Sequence, residues 1–170
     1  GTTPVLYVDG VAVPATATTD SNGNTILTPT APLTDGAHSI TTALIDTAGN
    51  TSTQSTALSV TIDTQAPAAP GGVLALASDT GTVGDSTTSD ATPTITGTGG
   101  TPGDTITLKD ATGAVIATGV VSGDGSWSVT PTASLANGLQ NLSITATDPA
   151  GNTSPASTLP ITIVNSPTTF

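Results

Sequence analysis

Cysteine, glutamate and arginine are absent from this chain of 170 residues, and histidine and lysine occur once each, as His38 and Lys109. Without cysteine there is neither a disulfide nor a thiolate zinc site. That leaves the redox compartment open, because a secreted protein can be stabilised by calcium instead. With a single basic residue the surface cannot neutralise phosphate, which sets aside nucleic acid and anionic lipid headgroups as partners. General acid–base chemistry would fall to aspartate and His38 alone. Aromatic residues are scarce, namely Tyr7, Trp127 and Phe170. The core must therefore be lean and aliphatic, near the level of roughly 20% at which many chains stay disordered. No apolar run approaches the ~20 residues of a membrane-spanning helix. Residues Gly1 to Gly10 lack the basic start and apolar centre of a signal peptide, so an export signal is expected outside this segment.

What the chain does have is aspartate and repetition. All 12 acidic residues are Asp, the formal net charge is −11, and such a surface attracts cations. The segment from Thr28 to Gly36 (TPTAPLTDG) returns as Thr130 to Gly138 (TPTASLANG), and Asp46 to Ser52 (DTAGNTS) returns as Asp148 to Ser154 (DPAGNTS). Both matches stand 102 residues apart. A period near 100 residues is the size of an immunoglobulin-like sandwich. Two copies are expected: residues 1–63, the C-terminal part of a repeat, and residues 64–170, a complete one. The Pro-rich segment 64–71 (TQAPAAPG) joins them as a short semi-rigid linker.

Thr and Val are frequent, Gly and Pro recur every 8–12 residues, and apolar residues alternate, which is strand patterning with almost no helix signal. Seven strands are expected in the second copy: Val73–Ala77, Thr94–Gly97, Thr105–Lys109, Val115–Val121, Ser126–Val129, Leu142–Thr147 and Leu159–Val164. Leu142, Ile144 and Ala146 should point inward, as should Leu159, Ile161 and Ile163. The first copy matches with Ile40, Thr42 and Leu44, then Leu58, Val60 and Ile62. The fold expected is all-β: tandem immunoglobulin-like β-sandwiches of the seven-stranded Greek-key kind, the first copy incomplete. That copy lacks counterparts of the first two strands, so either the sequence is cut from a longer array or another segment covers the open face.

Alternating strands send their loops to two ends. Asp104, Asp124 and Asp148 should meet at the end that receives the joint residue Asp63. The long loop between the first two strands, Ser78 to Asp90, carries Asp79, Asp85 and Asp90. Crowded carboxylates repel unless a cation intervenes, and calcium takes six to eight oxygen ligands from carboxylates, carbonyls and water. Asp63, Asp79, Asp85, Asp90, Asp104 and Asp148 are therefore candidate calcium ligands. The competing role for each is to cap a turn, the usual work of Asp between strands. The string Asp20-Ser21-Asn22-Gly23-Asn24 starts like an EF-hand loop but lacks the Glu at position twelve and flanking helices, and reads as a hairpin turn.

Three strings, DTGTVGDSTTSDATPTITGT (Asp79–Thr98), GDGSWSVTPTASLANG (Gly123–Gly138) and TATDPAGNTS (Thr145–Ser154), resemble the bacterial immunoglobulin-like repeats of giant type-I-secreted adhesins and biofilm proteins. The resemblance spans nearly all of the second copy and the retained part of the first. It implies an extender module on the bacterial surface, stiffened by calcium at domain ends and joints. By position it implies ligation by Asp79, Asp85 and Asp63, with the loop Asp148-Pro149-Ala150-Gly151-Asn152 as a further contributor. The second copy ends Val164-Asn165-Ser166-Pro167, without the joint carboxylate, and the first copy lacks the Asp-rich loop.

An enzyme is not expected. His38 aligns with Gln140, which argues against a catalytic histidine shared by the repeats, and His38 is expected to be a surface residue. Paired Asp residues hydrolyse glycosides in clefts with aromatic platforms, and Trp127 is expected in the core instead. The competing function is a ligand-binding domain, for carbohydrate or protein, of a surface adhesin. The expected partners are neighbouring repeats of the same chain and calcium ions, with the chain a monomer that does not insert into membrane.

Overall fold

A computed structural model describes residues 1–165, so Phe170 and the end of the last joint (Ser166, Pro167) lie outside the described residues. The chain divides into two units, Gly1–Thr64 and Gln65–Phe170.

The first unit contains β1 (Thr2–Val8), β2 (Val11–Val13), β3 (Ala15–Thr19), β4 (Thr25–Pro29), β5 (Gly36–Asp46) and β6 (Leu58–Ile62). One sheet runs β2-β1-β5-β6, and β3 pairs with β4 as a separate hairpin. The turn from β1 to β2 is Asp9-Gly10, both at positive φ (53° and 80°). That is the type I′ geometry for which Asp-Gly is suited, and its twist matches that of the strands. Register pairs Leu6 with Thr42 and Val8 with Ile40, so these residues share a face with Pro4 and Leu44. The face is only partly covered: Leu6 and Val8 are buried, but Leu44 is 47% exposed.

The second unit contains β7 (Val73–Leu74), β8 (Thr87–Thr88), β9 (Ile95–Gly97), β10 (Thr105–Lys109), β11 (Val115–Val120), β12 (Trp127–Val129), β13 (Gly138–Thr147) and β14 (Ser157–Ile163). A five-stranded sheet, β11-β10-β13-β14-β8, faces a three-stranded one, β12-β9-β7. The alternation that the sequence shows in β13 and β14 is the core: Leu142, Ile144, Ala146, Ile161 and Ile163 are all buried. Ile95, Trp127 and Val129 close it from the smaller sheet. Trp127 is thus a core residue at a strand start, as its position implies.

The first strand departs from expectation. It ends at Leu74 and not at Ala77, because Ser78 and Asp79 both donate backbone N–H groups to the Ala75 carbonyl and turn the chain. The chain then crosses to the other sheet as β8, parallel to β14 through Thr162↔Thr87 and Ile163↔Thr88. The stretch expected to be all loop therefore holds an eighth strand. One strand serving both sheets in two short pieces leaves no long alternation to read.

The units match strand for strand where both exist. β1, β4, β5 and β6 correspond to β10, β12, β13 and β14. Registers Ile40↔Leu58 and Leu142↔Leu159 show that the loop before the last strand is one residue longer in the first unit. Nothing in the first unit stands where β7, β8 and β9 stand in the second.

Candidate functional site

The Asp-rich loop lies beside the end of the last strand, since Thr162 N–H donates to Ser86 O (2.9 Å) and Val164 N–H to Thr88 O (2.8 Å). The chain leaves the unit there. Within the loop the three carboxylates have different surroundings. Asp85 accepts the Thr87 N–H at 2.8 Å, an Asx turn. Asp90 accepts Ser78 Oγ–H at 2.9 Å on one oxygen and the Thr92 N–H at 2.9 Å on the other. Asp79 accepts the Gly84 N–H at 2.6 Å through Oδ2. Its Oδ1 is buried and meets no hydrogen-bond donor. A shielded anionic oxygen without a donor is costly, and a cation is the partner that removes the cost.

The other candidates lie outside this loop. Asp104 and Asp148 follow the paired residues Thr105↔Thr147 outward on neighbouring strands. Asp104 is buried, at 2% exposure, and its carbonyl accepts the Val121 N–H. With Pro67, Pro70, Gly71 and the Thr98–Thr101 stretch it lines a cavity of about 80 Å³. Asp148 accepts the Asn152 N–H (2.9 Å) and the Asn152 side-chain N–H (2.9 Å). These bonds, the side-chain one foremost, hold its pKa below the ordinary carboxylate value. Asp46 with Asn50, and Asp20 with Asn24, repeat that arrangement. The Asp20 string is thus a hairpin turn between β3 and β4, as read from the sequence. Asp63 is exposed at the end of β6. Among the described residues, no three His, Cys, Asp or Glu side chains are grouped so as to hold a metal ion. Within the Ser78–Asp90 loop, the carboxylate whose surroundings fit a cation is Asp79; around it, carbonyls and water would have to supply most of the oxygen ligands that calcium takes.

Two arrangements escaped the sequence reading. Asn137 clamps the chain at the exit of the second unit: its Oδ1 accepts the Asn165 N–H (2.8 Å) and its Nδ2 donates to Asn165 O (2.7 Å). In the first unit Asp35, at the same place in the repeat, accepts the Thr64 N–H (3.1 Å) and hydroxyl (2.9 Å). The signal was present as an Asx before Gly in both copies of the LTDG/LANG motif. His38 is also not a free surface side chain, with 11% of it accessible. Its Nδ1 lies 2.7 Å from Asp9 Oδ2 and its Nε2 2.8 Å from Thr34 O. Two acceptors, the Thr34 carbonyl first, raise its pKa by favouring the doubly protonated ring. Gln140 donates to Ala136 O in the equivalent place, so the alignment of His38 with Gln140 is one of structure.

Among curated proteins none matches the chain. Solved structures similar to it include the BSP domain of a biofilm-associated protein, at 22% identity, covering 96% of this chain and 25% of that one, TM-score 0.43. Fibronectin(III)-like modules of Clostridium thermocellum CbhA share 16% identity over 94% of this chain and 76% of theirs, TM-score 0.53. A calcium-stabilised adhesin with which an Antarctic bacterium reaches out and binds ice shares 29% identity over 96% of this chain and 40% of that one, TM-score 0.43. The chain thus spans a quarter of the first of these, and the likeness to the fibronectin(III)-like modules is one of fold. The bacterial Ig-like domain family matches residues 2–64 and again 66–164. With both units matched and the sandwich formed, the chain belongs to the bacterial Ig-like domain family.

Proposed function

We propose that the chain is a structural extender of a large bacterial surface adhesin, rigidified by calcium at domain ends and joints, that holds a distal adhesion region away from the cell. Its working property is stiffness along the array, and it carries out no catalysis. The observation that carries this is the repeated exit: each unit ends its last strand with the chain held by an Asx side chain, Asp35 on Thr64 and Asn137 on Asn165. A chain fixed as it leaves one sandwich enters a Pro-rich joint with few free torsions, which a spacer needs and a ligand binder does not. Similarity to the BSP domain of a biofilm-associated protein and to a calcium-stabilised adhesin is in keeping with this reading.

The calcium site proposed is the Asp79–Asp90 loop, beside the end of the last strand of the second unit. Asp79 Oδ1 is its proposed first ligand, with Asp85, Asp90 and loop carbonyls in the same loop as further ones; Asp104 and Asp148 within the second unit, and Asp63 at the end of the first, are separate candidates. An ion binding only the folded state adds RT ln(1 + [Ca]/Kd), about 1.4 kcal/mol at ten times Kd. With Kd of roughly 10⁻⁴ to 10⁻³ M, as in extracellular modules, the sites fill outside the cell and stay empty within it. Export, by the type I route, then couples to folding. Calorimetry with calcium and with chelator tests the reading: the second unit should melt several degrees higher with calcium, and Asp79→Asn should abolish the difference. His38→Ala should leave the difference intact. Equal melting temperatures would remove calcium from the account, and unchanged small-angle scattering of a multi-repeat array on chelation would remove its stiffening role.

A further inference from the structure

The chain has two Asn-Gly steps, Asn22-Gly23 and Asn137-Gly138. Asparagine is a thermolabile residue, most of all before glycine, where no side chain keeps the next backbone nitrogen from the carboxamide carbon. Asn22-Gly23 lies exposed in the turn between β3 and β4. Gly138 is the first residue of β13, and it and Asn137 are both exposed, so water reaches them. Gly138 stands at φ +103°, with open space where a Cβ would be. The Asn137 carboxamide is half of the exit clamp, its oxygen accepting the Asn165 N–H and its nitrogen donating to Asn165 O. The first unit holds an acid in that place. Asp35 Oδ1 accepts the Thr64 N–H, and the Thr64 hydroxyl bonds the same carboxylate, at 2.9 Å to Oδ1 and 3.2 Å to Oδ2. Thr64 and Asn165 are equivalent once the longer loop of the first unit is counted. The two clamps are different solutions: an acid relies on a hydroxyl donor, and a carboxamide brings its own.

We propose that Asn137-Gly138 is a self-modification site, and that its deamidation opens the exit clamp of the second unit. The Gly138 nitrogen attacks Asn137 Cγ, the Cγ–Nδ2 bond breaks, and ammonia leaves with the proton of the Gly138 N–H. Water then opens the resulting succinimide at either carbonyl and yields aspartate or isoaspartate. Neither product keeps the Nδ2–H donor, so the bond to Asn165 O is lost. In the aspartate a carboxylate oxygen replaces the nitrogen that stood 2.7 Å from that carbonyl, and two acceptors repel. The isoaspartate adds a methylene to the main chain and shifts Gly138 from its pairing with Ile163. Asn165 has no hydroxyl with which to receive the acid as Thr64 receives Asp35. While the clamp is closed the carboxamide is held and Gly138 is paired in the sheet, so the reaction proceeds through local opening of the strand ends. The exit of the second unit thus loosens with the age of the protein, whereas that of the first is already built on an acid. The proposal rests on the clamp alone and is independent of calcium.

The test ages the full ¹⁵N-labelled chain in warm, mildly alkaline buffer and follows both Asn-Gly steps by peptide mass mapping. Conversion is expected at both, slower at Asn137 than at Asn22 while the chain is folded, and equally fast at the two in denaturant. In the aged chain the Asn165 amide should exchange roughly tenfold faster, as loss of one hydrogen bond and a new repulsion give, with Ile161 still protected. Asn137→Asp should reproduce that gain without ageing, and adding Asn165→Thr should restore slow exchange by rebuilding the pair of Asp35 and Thr64. Trp127 fluorescence checks that each variant keeps its core. An Asn137 that stays intact in the folded chain after Asn22 has fully converted would overturn the proposal. So would an Asn137→Asp chain that exchanges like the original, or an Asn165→Thr change that fails to rescue it.

Discussion

Leu142→Ala and Ile40→Ala remove side chains from equivalent positions of the two repeats, and the structure assigns them unequal costs. Leu142 is 1% exposed and packed from both sheets, whereas Ile40 is only half-buried beneath an incomplete cover. Truncating a fully buried leucine costs the transfer of its methyl and methylene groups plus a cavity, together about 3–4 kcal/mol. For Ile40 the half-open site relaxes and water enters, so about 1–2 kcal/mol is expected. The chain has one tryptophan, Trp127, and it sits in the core of the second unit. Its fluorescence in a urea titration therefore reports that unit. With a slope of about 1.5 kcal/mol/M for a domain of this size, Leu142→Ala should lower the tryptophan midpoint by about 2 M. Ile40→Ala should leave that midpoint where it is and lower only a transition followed through amide signals of β1 and β5. A common loss in both mutants would show that the two units unfold as one and refute the separate cores inferred from burial.

Gly97→Ala should cost about 2 kcal/mol or more through overpacking against Trp127 and Gly71, seen as a lower midpoint in the same titration; combining it with Trp127→Leu should recover part of the loss. The first unit should be most stable at mildly acidic pH. His38 has a raised folded pKa, so its contribution is whole below its ordinary value of 6.5 and is lost as pH rises through the folded value; Asp9, lowered chiefly by the Ser39 N–H, contributes above 3.8 and loses this as pH falls. His38→Gln, which can keep the Thr34 contact as Gln140 keeps the Ala136 one, should flatten the alkaline limb of melting followed by Tyr7 circular dichroism. Asn137→Ala should remove two hydrogen bonds at Asn165, about 1 kcal/mol in all, and speed amide exchange of Asn165 while leaving Ile161 protected.

The division into two similar stretches, the strand-rich patterning and the buried faces of β13 and β14 were legible in the sequence, because repetition and period-two alternation are local properties of a chain. What the sequence left undecided was long-range. Whether Ser78–Asp90 is a loop or a strand shared between sheets depends on parallel pairing with β14, some 75 residues away. Each Asp reads in sequence as ligand or turn cap alike, and only the folded backbone shows which donors reach it: Asp85, Asp90 and Asp148 receive donors from residues two to four later, or across the loop, whereas Asp79 Oδ1 receives none. The exit clamps of Asp35 and Asn137 likewise appear only when distant segments meet. Local pattern determines which residues want burial, but which donors, edges and carboxylates find partners is decided by the tertiary fold that sets their distances.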